Sequence, residues 1–139
     1  MFSKTKRLLE VSVIYNKSNT FGLYNDAKLI QQTFAGLANV RFADPLEPPV
    51  VADINIHLEV PIYTYVPWAN YNILIANPEH YIKEAYDPYM KHFNGVITKE
   101  ELNIKGGIGL YLLPWTISSF PLIKITPLKE FLYLLGVHL

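Results

Sequence analysis

His57 and Glu59 stand two residues apart in the run Ile56-His57-Leu58-Glu59, whose apolar and polar alternation is that of a β-strand. Side chains at i and i+2 of a strand project from one face, which would set an imidazole beside a carboxylate. Either is a candidate general base for a substrate hydroxyl. The plainer reading of the same pair is a polar sheet rim satisfied by neighbouring backbone. Asn77-Pro78-Glu79 closes the apolar run 72–76, and its proline fixes a turn. Asn77 and Glu79 are then directed at the crevice beyond the strand as substrate-binding groups. In the structural alternative Asn77 caps the next helix and Glu79 complements its dipole. Trp115 beside Thr116 and Ser118 offers an aromatic platform next to hydroxyls, suited to the apolar face and the hydroxyls of a sugar ring, although Trp115 equally suits a core. Tyr63, Tyr65 and Trp68 form an aromatic stripe read as packing or an interface.

Several common chemistries lack their residues. The loop after the first strand, Asn16-Lys17-Ser18-Asn19-Thr20-Phe21-Gly22, holds a single glycine where a dinucleotide fingerprint needs three. No glycine-rich stretch ends in Gly-Lys-Ser/Thr, and no G-x-S-x-G elbow occurs. The four histidines, His57, His80, His92 and His138, show no H-E-x-x-H spacing and have no cysteine to join them, so no metal site and no resident cofactor is expected.

The elements that must position the candidates read as one α/β unit. Residues 8–15 form a first strand, and Leu23, Ala27, Ile30, Phe34 and Leu37 share one face of a helix over residues 23–37, ended by Gly36 and Asn39. A short strand at 40–43 enters a rigid connector with prolines at 45, 48 and 49. Ile54, Ile56 and Leu58 give the next strand an apolar face, and residues 63–69 read as an aromatic turn or helix broken by Pro67. The nearly all-apolar run 72–76 has the character of a central parallel strand. Residues 80–93 read as helical, with Asp87 as an N-cap before Pro88 at the first helical position of a second piece, and residues 95–98 as a short strand. A helix over 99–105, strands at 109–113 and 122–125 and a C-terminal helix from Pro127 to Gly136 complete the pattern. Strands alternating with helical segments, without hairpin turns, predict a Rossmann-like three-layer α/β fold with a mostly parallel sheet, as one domain over residues 1–139.

Bulk composition narrows the partners. With 12 Lys+Arg against 12 Asp+Glu the net charge is zero, which argues against nucleic acid or an anionic membrane as the main partner. Half of the residues are hydrophobic and 17% are charged, so an apolar surface is expected to meet a second copy or another subunit. Glu10 and Ser12 interrupt the apolar run near the start, so it reads as a strand rather than a signal peptide, and no stretch is long enough to span a bilayer. A cytoplasmic or virion-associated protein is the expectation.

Residues 53–101 resemble the N-terminal lobe of certain GT-B-fold glycosyltransferases and glycosyltransferase-like proteins, viral ones included. The resemblance lies in an ordered series: His57-Leu58-Glu59 at a strand end, Val66-Pro67-Trp68-Ala69 closing an aromatic segment, Asn77-Pro78-Glu79 at the next strand end, then Thr98-Lys99, and later Trp115-Thr116 with Ser118. It spans about two thirds of the chain and implies two Rossmann-like lobes facing each other across a cleft. The lobe present would shape the acceptor side, with His57, Glu59, Asn77 and Glu79 lining the cleft and Lys99, Thr116 and Ser118 reaching the donor phosphates. A nucleotide-sugar donor would be held mainly by a second lobe, so the expectation is an acceptor-side lobe that is not catalytic alone. The alternative is a non-catalytic structural or interaction module in an assembly such as a viral particle.

Overall fold

Val11 and Val13 alternate with Ser12 and Ile14 in β1 (Leu9–Ile14), and all four are buried, so this strand is covered on both faces. The computed structural model describes residues 8–20, 22–77, 80–98 and 110–112. After β1 come α1 (Gly22–Thr33), β2 (Ala38–Ala43), β3 (Ala52–Leu58), a 3-10 helix (Tyr63–Trp68) and β4 (Ala69–Ala76). A one-turn α2 (Lys83–Tyr86), a second 3-10 helix (Asp87–His92), β5 (Gly95–Thr98) and β6 (Leu110–Leu112) follow. The strands form one sheet in the order β2-β1-β3-β4-β5-β6, and every pairing is parallel, so the expected mostly parallel sheet is wholly parallel among the described strands.

Each face of the sheet has its own cover. On the first, Val11, Val13, Ile54, Ile56, Leu58, Ile73, Ile75 and Ile97 form a continuous apolar layer against Ala27, Ile30 and Phe34 of α1. Among the described residues the second face is covered by the two 3-10 segments and their flanks: Tyr65 packs on Ile14 and Ala43, while Met90 and Phe93 pack on Leu74, Ala76 and Val96. The three layers are those of a Rossmann-like fold. Because β1 leads to β2 over one face and β3 leads to β4 over the other, the strand order reverses between β1 and β3, and the crevice of such sheets opens beyond the carboxyl ends of those two strands.

Two elements depart from the sequence expectation. The helix expected to reach residue 37 ends at Thr33, whose hydroxyl donates to Leu29 O at 2.8 Å. Phe34 O then accepts from both Leu37 N–H and Ala38 N–H, and Gly36, at φ +80°, turns the chain straight into β2. Over 80–93 the two helical pieces expected are α2 and a 3-10 helix, divided at Asp87 as the sequence indicates, but the second is 3-10 rather than α. Asp87 lies within the helical backbone (φ −50°, ψ −41°), not at an N-cap, and its carboxylate accepts the Tyr81 hydroxyl at 2.6 Å. Burial and that carboxylate together push the Tyr81 phenol well above its ordinary range. The helix expected at 99–105, the strand at 122–125 and the C-terminal helix lie outside the described residues.

A Cβ at Gly36 would meet nothing within 4 Å, so any cost of adding one is conformational. Gly36→Ala is expected to lower stability by about 1 kcal/mol in urea unfolding through the left-handed backbone alone.

Candidate functional site

Parallel register places Ser12, Asn55 and Asn72 side by side across β1, β3 and β4, on the second face of the sheet. All three are buried. Asn55 Nδ2 donates to Tyr65 O at 2.8 Å, and Asn72 Nδ2 donates to Val66 O at 2.9 Å, so two strand amides meet carbonyls of the 3-10 helix above them. Asn72 N–H donates in turn to Asn94 Oδ1 at 2.8 Å. Asn55 Oδ1 meets no donor among the described residues.

His57 lies one step further along β3 and is fully buried. Its Nδ1 accepts Ile62 N–H at 2.9 Å, which assigns the ring proton to Nε2, and Nε2–H donates to Asn72 Oδ1 at 2.9 Å. The Phe93 ring packs edge-on at 4.6 Å. Burial holds the imidazole well below its usual value, at about 4, against the smaller opposing effect of the Asn72 bond. His57 is therefore neutral at physiological pH, with both nitrogens engaged.

Glu59 goes elsewhere. β3 ends at Leu58, and Glu59 takes a left-handed backbone at φ +65°, so the strand alternation that would set it beside His57 is broken. Its N–H donates to Ile75 O at 2.8 Å. The carboxylate lies at the carboxyl edge of the sheet, where Oε1 accepts Asn77 Nδ2 at 3.2 Å and Oε2 stands 3.4 Å from His80 Nδ1. Sequence expectation had Glu59 and Asn77 as separate candidates at successive strand ends; the structure joins them across 18 residues and adds His80, which sequence reading treated only as a metal candidate. A histidine three residues after Asn77 was visible, but not that it would stand against Glu59.

Across the switch point the edge is ionic. Asp44 accepts Leu46 N–H and Lys17 N–H, at 2.9 and 3.0 Å, and these bonds hold its carboxyl below the usual range. Lys17 Nζ bonds Glu47 at 2.9 Å and lowers that carboxyl as well, tying the β1 loop to the β2 loop. Among the described residues, no three of His, Cys, Asp and Glu gather as metal ligands, and no helix is long and apolar enough to cross a membrane. Glu79, Lys99, Trp115, Thr116 and Ser118 lie outside the described residues.

The fold and the edge define a Rossmann-like α/β domain with a polar cluster at the carboxyl ends of two adjacent central strands. No family model matches the chain, and no match is found among curated proteins or solved structures. These comparisons do not tie the chain to glycosyltransferases, and that resemblance stands on the sequence motifs alone.

The pH dependence of folding reports the state of His57. Its folded value of about 4 lies below the ordinary 6.5, so between these limits the unfolded chain binds a proton that the folded chain refuses. Stability is complete above pH 6.5 and falls as the pH drops toward 4, by roughly 3 kcal/mol for this group. Urea unfolding across this window should show that slope in the parent chain and a much flatter one in His57→Gln.

Proposed function

We propose that this chain is the acceptor-side lobe of a glycosyltransferase-like protein, binding a hydroxylated acceptor at the carboxyl edge of its sheet while a second lobe holds a nucleotide-sugar donor. The observation that carries the reading is the meeting of Glu59, Asn77 and His80 at the ends of β3 and β4. A carboxylate, an amide and an imidazole there offer donors and acceptors for sugar hydroxyls. The motifs of the resemblance fall at the same two strand ends, with Glu59 closing the first and Asn77 opening the second. In this reading Glu79 joins the acceptor cluster, Trp115 stacks on a sugar ring, and Lys99, Thr116 and Ser118 reach the donor phosphates. His57 acts from beneath, as an anchor of the turn that carries Glu59.

A second reading, a structural or interaction module, draws on the outer surface of the second face. Tyr63, Trp68, Ile82 and Tyr89 are exposed there or beside it, and Tyr63 packs on Tyr89 at 5.2 Å and on His92 at 6.2 Å. Such a surface suits a second copy of the chain or another subunit, in the cytoplasm or a virion.

Calorimetric titration with nucleotide sugars and methyl glycosides separates the two. The acceptor-lobe reading expects a dissociation constant below about 1 mM for at least one of these ligands. No heat up to about 10 mM, together with a stable oligomer in light scattering, would establish the interaction module instead.

A further inference from the structure

β2 stands at one end of the sheet, and β1 is its sole neighbour among the described strands. The bonds at either end of that pairing fix which backbone groups of β2 are spent. Leu9 N–H donates to Leu37 O and Tyr15 N–H to Ala43 O, so the odd-numbered residues of β2 turn their N–H and C=O toward β1. Val40 and Phe42 therefore present theirs outward, as does the carbonyl of Ala38, whose N–H goes back to Phe34 O. We propose that this edge joins two copies of the chain, β2 lying antiparallel to β2 of the second copy about a two-fold axis at Val40.

The edge carries little of the protection that keeps exposed strands apart. Residues 38–43 contain no proline or glycine, pair with β1 in an unbroken register without a bulge, and hold a single charge, Arg41. The prolines of the connector begin only at 45, past the strand. On the first face Val40 and Phe42 are half-buried against the α1 core, with the Tyr15 and Tyr24 rings edge-on to Phe42 at 5.8 and 6.4 Å. Open backbone groups beside apolar side chains are what strand addition requires.

Charge selects both the register and the partner. Centring the pair on Arg41 would set two guanidiniums directly opposite each other, which is destabilising. A centre at Phe42 would drive each β2 into the proline connector of the other. Centring on Val40 sets Arg41 opposite Asn39 of the second copy, and Asn39 Nδ2 donates to Glu10 Oε1 at 2.9 Å. Register with β1 puts Asn39 beside Glu10 and Arg41 beside Ser12, all on the second face. Arg41 makes no hydrogen bond or ion pair among the described residues, so its guanidinium is available to the Glu10 carboxylate across the edge. The two-fold axis repeats that contact, which makes the edge complementary to itself. In this register Val40 N–H and C=O meet those of Val40 in the second copy, and Phe42 N–H meets Ala38 O. Each copy spends its β2 edge, so the contact closes at a dimer. This surface is separate from the carboxyl edge of the sheet and from the Tyr63–Tyr89 patch, and the pairing rests on neither functional reading.

The test combines sedimentation velocity with residue-resolved amide hydrogen exchange on the full chain. A dimer with a dissociation constant below about 100 µM is expected. The Val40 and Phe42 amides should exchange fast in the dilute monomer and about tenfold or more slowly in the dimer, while that of Arg41, bonded to β1, is protected at both concentrations. Val40→Pro removes an N–H that β1 does not use and should leave a folded monomer. If that variant folds poorly, charge reversal reads the same contact: Glu10→Arg and Arg41→Glu should each weaken the dimer about tenfold, and the double variant should restore it. A chain still monomeric at about 1 mM would overturn the proposal. So would a dimer whose Val40 and Phe42 amides stay fast, protection of those amides in the monomer, or a dimer indifferent to the proline and charge variants alike.

Discussion

Among the described residues the second face of the sheet is covered by short 3-10 turns rather than by a long α-helix, and the rest of the structure depends on how the backbone groups those turns leave open are satisfied. A parallel sheet must be covered on both faces, and helices normally do this because they close their own hydrogen bonds. Among the described residues one face has α1, whereas the other has two 3-10 segments, the first of which also holds the connector at 44–47. Their buried amides and carbonyls need partners. The sheet supplies them: Asn55 to Tyr65 O, Asn72 to Val66 O and His57 to Ile62 N–H. Tyr65 completes the set by donating its hydroxyl toward Asp44 O and Glu47 O, each at 2.9 Å, so the proline-rich connector is also held. Buried polar residues on this face therefore substitute for the internal bonding that a helix would have brought.

That demand separates residues that look alike in sequence. His57, Asn72 and Asn77 are all polar residues on or beside apolar strands. Two of them lie under the cover and are absorbed by it, while Asn77, just past the end of β4, is placed at the edge and donates to Glu59. The division follows from strand length: Asn55, His57 and Asn72, within the paired span of β3 and β4, serve the cover, and Glu59 and Asn77, beyond it, meet at the carboxyl edge.

Much of the fold was legible because periodicity reports burial. Ile54, Ile56 and Leu58 mark a strand by alternation, and the unbroken run at 73–76 marks one covered on both sides. Both readings agree with β3 and β4. The polar alternates Asn55 and His57 were illegible as buried residues, because alternation records only that two faces differ. It does not distinguish a solvated face from one whose polar groups are consumed by a covering loop. Over 80–93 the break at Asp87-Pro88 was legible and the kind of helix was not: Asp87 is drawn to Tyr81, Pro88 lacks a backbone donor, and the second piece tightens into a 3-10 turn. At the site, Glu59 and Asn77 were visible as strand-end residues. Their contact depends on the register of β3 against β4, and so does the approach of His80, which the turn expected at Pro78 did not by itself aim at Glu59.

The cover and the edge are linked through the turn at 59–62, where every backbone N–H is accounted for. Glu59 N–H bonds Ile75 O and Val60 N–H bonds Leu58 O, each at 2.8 Å, while Pro61 has none and Ile62 N–H reaches His57 Nδ1 at 2.9 Å. A four-residue turn with no spare donor and a proline inside it has little freedom to reorient. The left-handed conformation of Glu59 is thus held from both sides, by the neighbouring strand before it and by the buried imidazole after it. Protonating His57 would remove the acceptor for Ile62 N–H and release one end of that turn. A histidine inaccessible to any substrate thereby bears on where the Glu59 carboxylate stands. Its neutral state, enforced by burial, is the condition under which the carboxyl edge keeps its shape.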